Sequence, residues 1–124
     1  MRVLLDTHLL LWALSAPARL PAPARRLIQD ADVYVSAASI WEISVKASLG
    51  KLRADPNEVL VALEPAGFLS LPIAGEHAAR VASLPPLHRD PFDRLLIAQA
   101  LEEPMRLLTD DAVLEGYGEI VTVV

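Results

Sequence analysis

At 124 residues the chain has room for one domain with one core, and 53% hydrophobic against 22% charged residues excludes disorder. A net charge of −5 excludes binding to nucleic acid by bulk charge alone, and the absence of cysteine excludes disulfides, thiol nucleophiles and Cys-based zinc sites. The apolar share is high for a small soluble monomer, so a face buried against a partner or a second copy is expected.

"MRVLLDTHLLLWALSAPA" imitates a secretory signal, but Asp6 and His8 interrupt what should be an unbroken apolar stretch, so a cytoplasmic protein is expected. No apolar run approaches the ~20 residues of a membrane span. Val3-Leu4-Leu5 reads as a buried strand ending in Asp6. Residues 8–14 form a short apolar helix, prolines at 17, 21 and 23 break the chain, and 22–30 is a second helix. Val33-Tyr34-Val35 is the second strand. "SAASIWEISVKASLGKL" follows as a serine-capped helix closed near Gly50. "DPNEVLVALEPAG" begins a helix at Asp55-Pro56 and stops it at Pro65 or Gly67. Phe68–Leu71 is a strand, 74–83 a short helix, "LPPLHRDP" a loop and 92–102 a strong helix; Arg106–Thr109 and Ile120–Val123 close the chain as strands. Strands alternating with helices, without repeat or linker, predict one domain over 1–124 built on a parallel, layered α/β sheet.

Charge is uneven along the chain. Residues 1–53 carry seven Lys/Arg against four Asp/Glu, whereas 54–124 carry four against twelve. Several of these acids have a local explanation. In Asp90-Pro91-Phe92-Asp93 the first Asp suits a helix N-cap, Pro91 the first helical position, and Asp93 a bond back to the cap. Ser39-Ile40-Trp41-Glu42 fits a capping box, and Glu42 can pair with Lys46 one turn on. Thr109-Asp110-Asp111 suits another cap. Asp6 is harder to explain locally, because a carboxylate directly after a buried strand needs solvent or a positive partner.

Position adds what identity does not. Ligands of open parallel sheets bind beyond the carboxyl ends of the strands, where the strand order switches. Asp6 follows the first strand, Asp110 and Asp111 the fourth, and Glu42 and Asp93 lie on helices beside those ends. Acids sharing one pocket must be protonated or neutralised. Oxygen-only ligands suit a hard cation, Mg²⁺ or Mn²⁺.

Together "VLLDTH" (3–8), "SAASIWEISVKASLGKL" (36–52), "HRDPFDRLLIAQA" (88–100) and "LLTDD...YG" (107–118) resemble, in order, the PIN-domain ribonucleases, and among them the VapC toxins of bacterial toxin–antitoxin pairs. The resemblance implies a Rossmann-like five-stranded parallel sheet flanked by helices, and a metal-dependent endoribonuclease toxin neutralised by a cognate antitoxin. It assigns Asp6, Glu42, Asp93 and Asp111 as the acids that bind metal and catalyse, with Asp90 and Asp110 as second choices and Asp90 as the helix cap. Thr7, Thr109 and Arg94 become supports of that site, Arg94 alternatively facing phosphate. Lys46, Lys51, Arg53 and Arg89 become contacts to the RNA backbone, with a plain solvated face as the alternative reading. Water would attack phosphorus, leaving a 5′-phosphate, and no histidine base is needed; His8, His77 and His88 show no ligand spacing and read as packing or surface residues. A homodimer is expected, and the apolar residues near Leu9, Leu10 and Trp12 either line an antitoxin groove or dimer face or simply pack the core.

Two other readings remain. A haloacid-dehalogenase-like phosphotransferase also starts with a strand and an Asp, but wants a second Asp where His8 stands. A non-catalytic α/β protein-interaction module would bind metal only structurally. Glycine-rich phosphate loops and the common hydrolase motifs are absent.

Overall fold

Five short strands, β1 (Arg2–Leu5), β2 (Asp32–Ser36), β3 (Leu69–Leu71), β4 (Arg106–Thr109) and β5 (Val121–Val123), lie in one sheet in the order β3-β2-β1-β4-β5. The computed structural model describes all of residues 1–124. Every pairing is parallel: Val3 aligns with Val33 on one side and Arg106 on the other, and Leu107 aligns with Val121. The expected fold class therefore holds.

Side chains alternate across a strand, so each strand feeds two cores. Val3, Leu5, Val33, Val35 and Leu108 pack with Leu9 and Leu10 of α1 (Thr7–Ser15), Ala24 of α2 (Ala22–Asp30) and Val59 of α4 (Pro56–Ala62). Leu4, Leu107 and Val121 point the other way, onto Leu96, Ile97 and Ala100 of α6 (Pro91–Glu102). Between them α3 (Ala37–Ser48) contributes Ala38 to one core and Ile43 to the other. Leu9 and Leu10 are fully buried, which settles the choice left open for them: they are core, not groove.

Capping chemistry sets the helix starts. The Ser36 hydroxyl receives the Ala38 amide at 2.9 Å, Asp55 receives the Asn57 amide ahead of Pro56, and Asp90 receives the Phe92 and Asp93 amides around Pro91. Four elements differ from expectation. The helix from Asp55 ends at Ala62, short of Pro65, whose missing N–H leaves Val61 O without its bond from the fourth residue on; the chain stays coiled, with Ala66 N–H on Ala62 O at 3.2 Å, until Gly67 at φ 81° closes it. The segment 74–83 divides into α5 (Gly75–Arg80) and one 3₁₀ turn, Val81–Ser83. Further 3₁₀ turns at Pro17–Arg19 and Ala112–Tyr117 were not expected, since so short an element has no periodicity to read.

One buried polar network braces α6 against the sheet. Gln99 is fully buried; its Oε1 accepts from the Ser36 hydroxyl and its Nε2 donates to Pro72 O at 3.3 Å. Beside it His77 accepts the Ala74 amide on Nδ1 at 2.9 Å and meets Glu103 through Nε2 at 2.7 Å. No buried side-chain polar atom lacks a partner. Gln99→Leu keeps the volume but strands the Pro72 carbonyl and one bond of Ser36. It should lower unfolding free energy by about 1–3 kcal/mol in a urea titration.

Candidate active site

The strand order reverses at β1. The chain moves outward from β1 to β2 and β3, then returns to β1's other side as β4, which opens a crevice between the carboxyl ends of β1 and β4. Asp6 and the Thr109-Asp110-Asp111 run border that crevice, and the Asp6 amide bonds to Leu108 O at 3.0 Å across it.

Asp6 is 5% exposed and is the N-cap of α1. Its Oδ1 accepts the Leu9 amide at 2.9 Å, and its Oδ2 accepts the Thr109 hydroxyl. Glu42, equally buried, comes from the first turns of α3; the Thr7 hydroxyl donates to its Oε1 at 2.7 Å and Lys46 Nζ to its Oε2 at 2.6 Å. Ser39 touches the Thr7 hydroxyl at 3.0 Å. Asp93 stands one turn into α6, behind the cap made by Asp90. Asp111 caps the following 3₁₀ turn through Val113 N at 3.0 Å, and its own amide is received by Thr109 Oγ1 at 3.0 Å. Asp110 lies 3.8 Å from the exposed His8 ring.

These side chains enclose a cavity of about 130 Å³ lined by Asp6, Thr7, Glu42, Lys46, Asp90, Asp93, Asp110 and Asp111, with His8 at its edge. No lining residue is hydrophobic, and six carboxylates face one lysine. Larger hollows on the surface are mostly apolar and none touches the acid cluster except through His8.

Electrostatics record the crowding. Burial pushes the Asp6 carboxyl up, with Asp110 adding to the rise, while the Thr109 and Leu9 hydrogen bonds pull it down. Asp93 is pushed up to about 7, first by burial and then by the charges of Asp90 and Glu42. Lys46 is held above its ordinary value by its bond to Glu42. Such a pocket is undercharged in protons or cations at neutral pH, and its all-oxygen donors fit a hard divalent cation.

His88 belongs to this cluster, against the expectation of a packing or surface residue: its Nε2 lies 3.0 Å from Asp111 Oδ2 and 3.5 Å from Asp93 Oδ2. The signal was its place two residues before Asp90, whose amide bonds its ring at 3.0 Å. Arg94 does not face the cavity. Its guanidinium is used up on Pro85 O and Val81 O, both at 3.0 Å, and on Tyr117 Oη, so it anchors the segment that carries His88 rather than facing phosphate. Of the expected basic contacts only Lys46 reaches the cavity. Arg53 is exposed on a neighbouring groove with His8, Trp12 and Arg19, and Lys51 and Arg89 are exposed apart from it.

The PIN domain family model matches residues 3–120. Ribonuclease VapC22 of Mycobacterium tuberculosis is 32% identical over 118 residues, 93% of this chain and 91% of that protein. Among solved structures, VapBC2 from Rickettsia felis bound to a promoter DNA fragment superposes with a TM-score of 0.71 at 14% identity, over 100% of this chain and 98% of that one. The DNA-bound VapBC of Salmonella typhimurium gives 0.70 at 14%, over 99% and 98%.

The raised Asp93 carboxyl sets a pH dependence for the metal-free protein. Its ordinary value is 3.8, so between about pH 4 and 7 the folded chain holds a proton that the unfolded chain has lost. Stability is therefore greatest at the low end of that window and falls as pH rises through it. In EDTA, unfolding free energy should drop by on the order of 1–2 kcal/mol from pH 5 to pH 7.5, allowing for solvent that reaches the group. Asp93→Asn should flatten the profile in denaturant titrations at the two pH values.

Proposed function

This chain belongs to the PIN domain family, and on that premise we propose that it is an endoribonuclease toxin that hydrolyses RNA phosphodiester bonds at Asp6, Glu42, Asp93 and Asp111 with Mg²⁺ or Mn²⁺. The observation that carries the proposal is the wholly polar cavity at the switch point, where six carboxylates meet one lysine. A purely structural set of helix caps has no need to gather there, and burial that raises two of these acids costs stability that a cation would return. The hydrolase class and the ribonuclease relationship follow from the family; the choice of metal and of ligands is the proposal.

A divalent cation bound there supplies positive charge for the phosphate and acidifies water. The chain's own residues prepare for it. Thr109 and the Leu9 amide fix both oxygens of Asp6, and Thr7 and Lys46 fix both of Glu42. Neither carboxylate then has to be ordered when substrate arrives. Asp93, titrating near neutrality, is the acid that gives up its proton as positive charge enters. Asp111 stands ready as the fourth acid and Asp110 as its alternative. Lys46 is the one cation inside the pocket and serves a phosphate oxygen; Arg53, Lys51 and Arg89 follow the strand outside it. Water adds across the P–O3′ bond, leaving a 5′-phosphate and a 3′-hydroxyl.

A cognate antitoxin and a second copy of the chain are proposed as the protein partners, the relatives being solved as VapBC assemblies. Exposed Trp41, Leu60 and Val61 provide apolar surface for them. No helix is long and apolar enough to cross a membrane, and a cytoplasmic site of action is proposed.

Purified protein should cut RNA in Mg²⁺ or Mn²⁺ and stop in EDTA. Asp6→Asn, Glu42→Gln and Asp93→Asn should each lower the rate by roughly 100-fold or more while melting as well as wild type, since a neutral amide is a poorer ligand but relieves carboxylate repulsion. Asp90→Asn should cost far less, because Asn caps a helix nearly as well as Asp. A protein that binds the metal but cuts no RNA would favour the non-catalytic interaction module, and loss of activity on Asp90→Asn with retention on Asp93→Asn would reverse their roles.

A further inference from the structure

His88 lies between two of the proposed ligands yet is presented to them by an arrangement that decides what its ring can do. On one side Nδ1 receives the Asp90 backbone N–H at 3.0 Å. A backbone amide only donates, so Nδ1 must offer a lone pair, and the single hydrogen of the neutral ring must sit on Nε2. On the other side Nε2 is 3.0 Å from Asp111 Oδ2 and 3.5 Å from Asp93 Oδ2. The atom facing the carboxylates is thus a hydrogen-bond donor, with no lone pair for a metal.

The ring is also held from behind. Its own backbone N–H donates to Tyr117 Oη at 3.0 Å, and Tyr117 Oη takes a second bond from Arg94 at 3.2 Å. Arg94 in turn holds the Val81 and Pro85 carbonyls. The ring is four-fifths buried. Asp111 has its other oxygen, Oδ1, fixed by the Val113 amide at 3.0 Å. With His88 on Oδ2, both oxygens of Asp111 are engaged, as both are in Asp6 and in Glu42.

We propose that His88 is a positioning residue of this site: as the Nε2–H tautomer set by the Asp90 amide, it donates to Asp111 and holds that carboxylate facing Asp93 in the metal-free protein. The proposal rests on the reading of these acids as a metal site. It assigns to the "HRD" segment a purpose beyond capping: Asp90 starts α6 with its side chain and fixes the His88 tautomer with its amide. The competing role is direct ligation by imidazole, which the mutual spacing of His88, Asp93 and Asp111 donor atoms, all within 4.8 Å, permits on distance alone. Tautomer, not distance, separates the two.

Three readouts test it on the intact protein. Long-range ¹H–¹⁵N correlation spectra of the metal-free protein should show His88 protonated at Nε2 and bare at Nδ1; the Nδ1–H form would overturn the proposal. Mn²⁺ titrations followed by electron paramagnetic resonance should show affinity about tenfold weaker in His88→Ala. His88→Gln, whose amide can still donate to Asp111, should return to within about threefold of wild type, on the same scale of loss. Wild-type affinity in His88→Ala, or a His88→Gln as weak as His88→Ala, would each overturn it. Finally, Mn²⁺-loaded protein labelled with ¹⁵N-histidine should show no directly bound nitrogen coupling that disappears in His88→Gln; such a coupling would make His88 a ligand instead. A wild-type protein that binds no Mn²⁺ would overturn the metal-site reading itself, an outcome distinct from any of these.

Discussion

The carboxylate of Asp6 is buried at the end of the central strand, and the protein meets that cost with neutral donors, the Leu9 amide and the Thr109 hydroxyl, rather than with a cation of its own. Those two bonds shape the rest. The Leu9 bond makes Asp6 the cap that starts α1, so the direction of the chain leaving β1 depends on it. The Thr109 bond ties the end of β4 to the end of β1 across the switch point, which brings Asp110 and Asp111 to the same crevice. Residues that a folding argument would call caps are thereby also the walls of a pocket.

The same device recurs around the pocket. A hydroxyl and an amide hold Asp6, an amide and the His88 ring hold Asp111, and Glu42 alone is matched by a lysine. Neutral donors orient a carboxylate without cancelling it, so the negative potential of the cavity survives folding. The result is an arrangement that is costly in the metal-free state and rewarded when positive charge enters, as expected of a site selected for binding rather than for stability. The two apolar cores on either face of the sheet carry the stability that this requires.

Much of this was legible in the sequence, because the elements that matter carry strong local signals. Val3–Leu5 is a short aliphatic run and Val33–Val35 a β-branched and aromatic one, and "DPFDRLLIAQA" contains its own cap, proline and apolar face. Asp6, Glu42, Asp90, Asp93, Asp110 and Asp111 are legible as a group because each follows a strand or lies early on a helix beside one, and the parallel topology brings such positions together; the choice of Asp6, Glu42, Asp93 and Asp111 among them is what the family resemblance implies. What escaped was the chemistry of contacts between distant segments. The place of His88 two residues before Asp90 hints at its bond to that amide, but nothing local announces that the ring reaches Asp111, 23 residues on. Arg94 could be placed only as a support of the site or a phosphate contact, because the carbonyls that hold it, Val81 O in a 3₁₀ turn and Pro85 O in the loop beyond, lie where no periodicity describes the path. For Leu9 and Leu10 groove and core stayed open, because a helix apolar on most faces does not reveal which face is covered.

The acid cluster is held short of positive charge, and the proposed divalent cation would complete it. Calorimetric titration of the metal-free protein with Mn²⁺ near pH 7, in two buffers of different ionisation enthalpy, tests this most directly, because the proton that Asp93 holds must leave as the metal enters. Saturable binding with a fraction of a proton released per metal is expected, and that release should be lost in Asp93→Asn. Binding heats that are identical in the two buffers, or no binding at all, would contradict it.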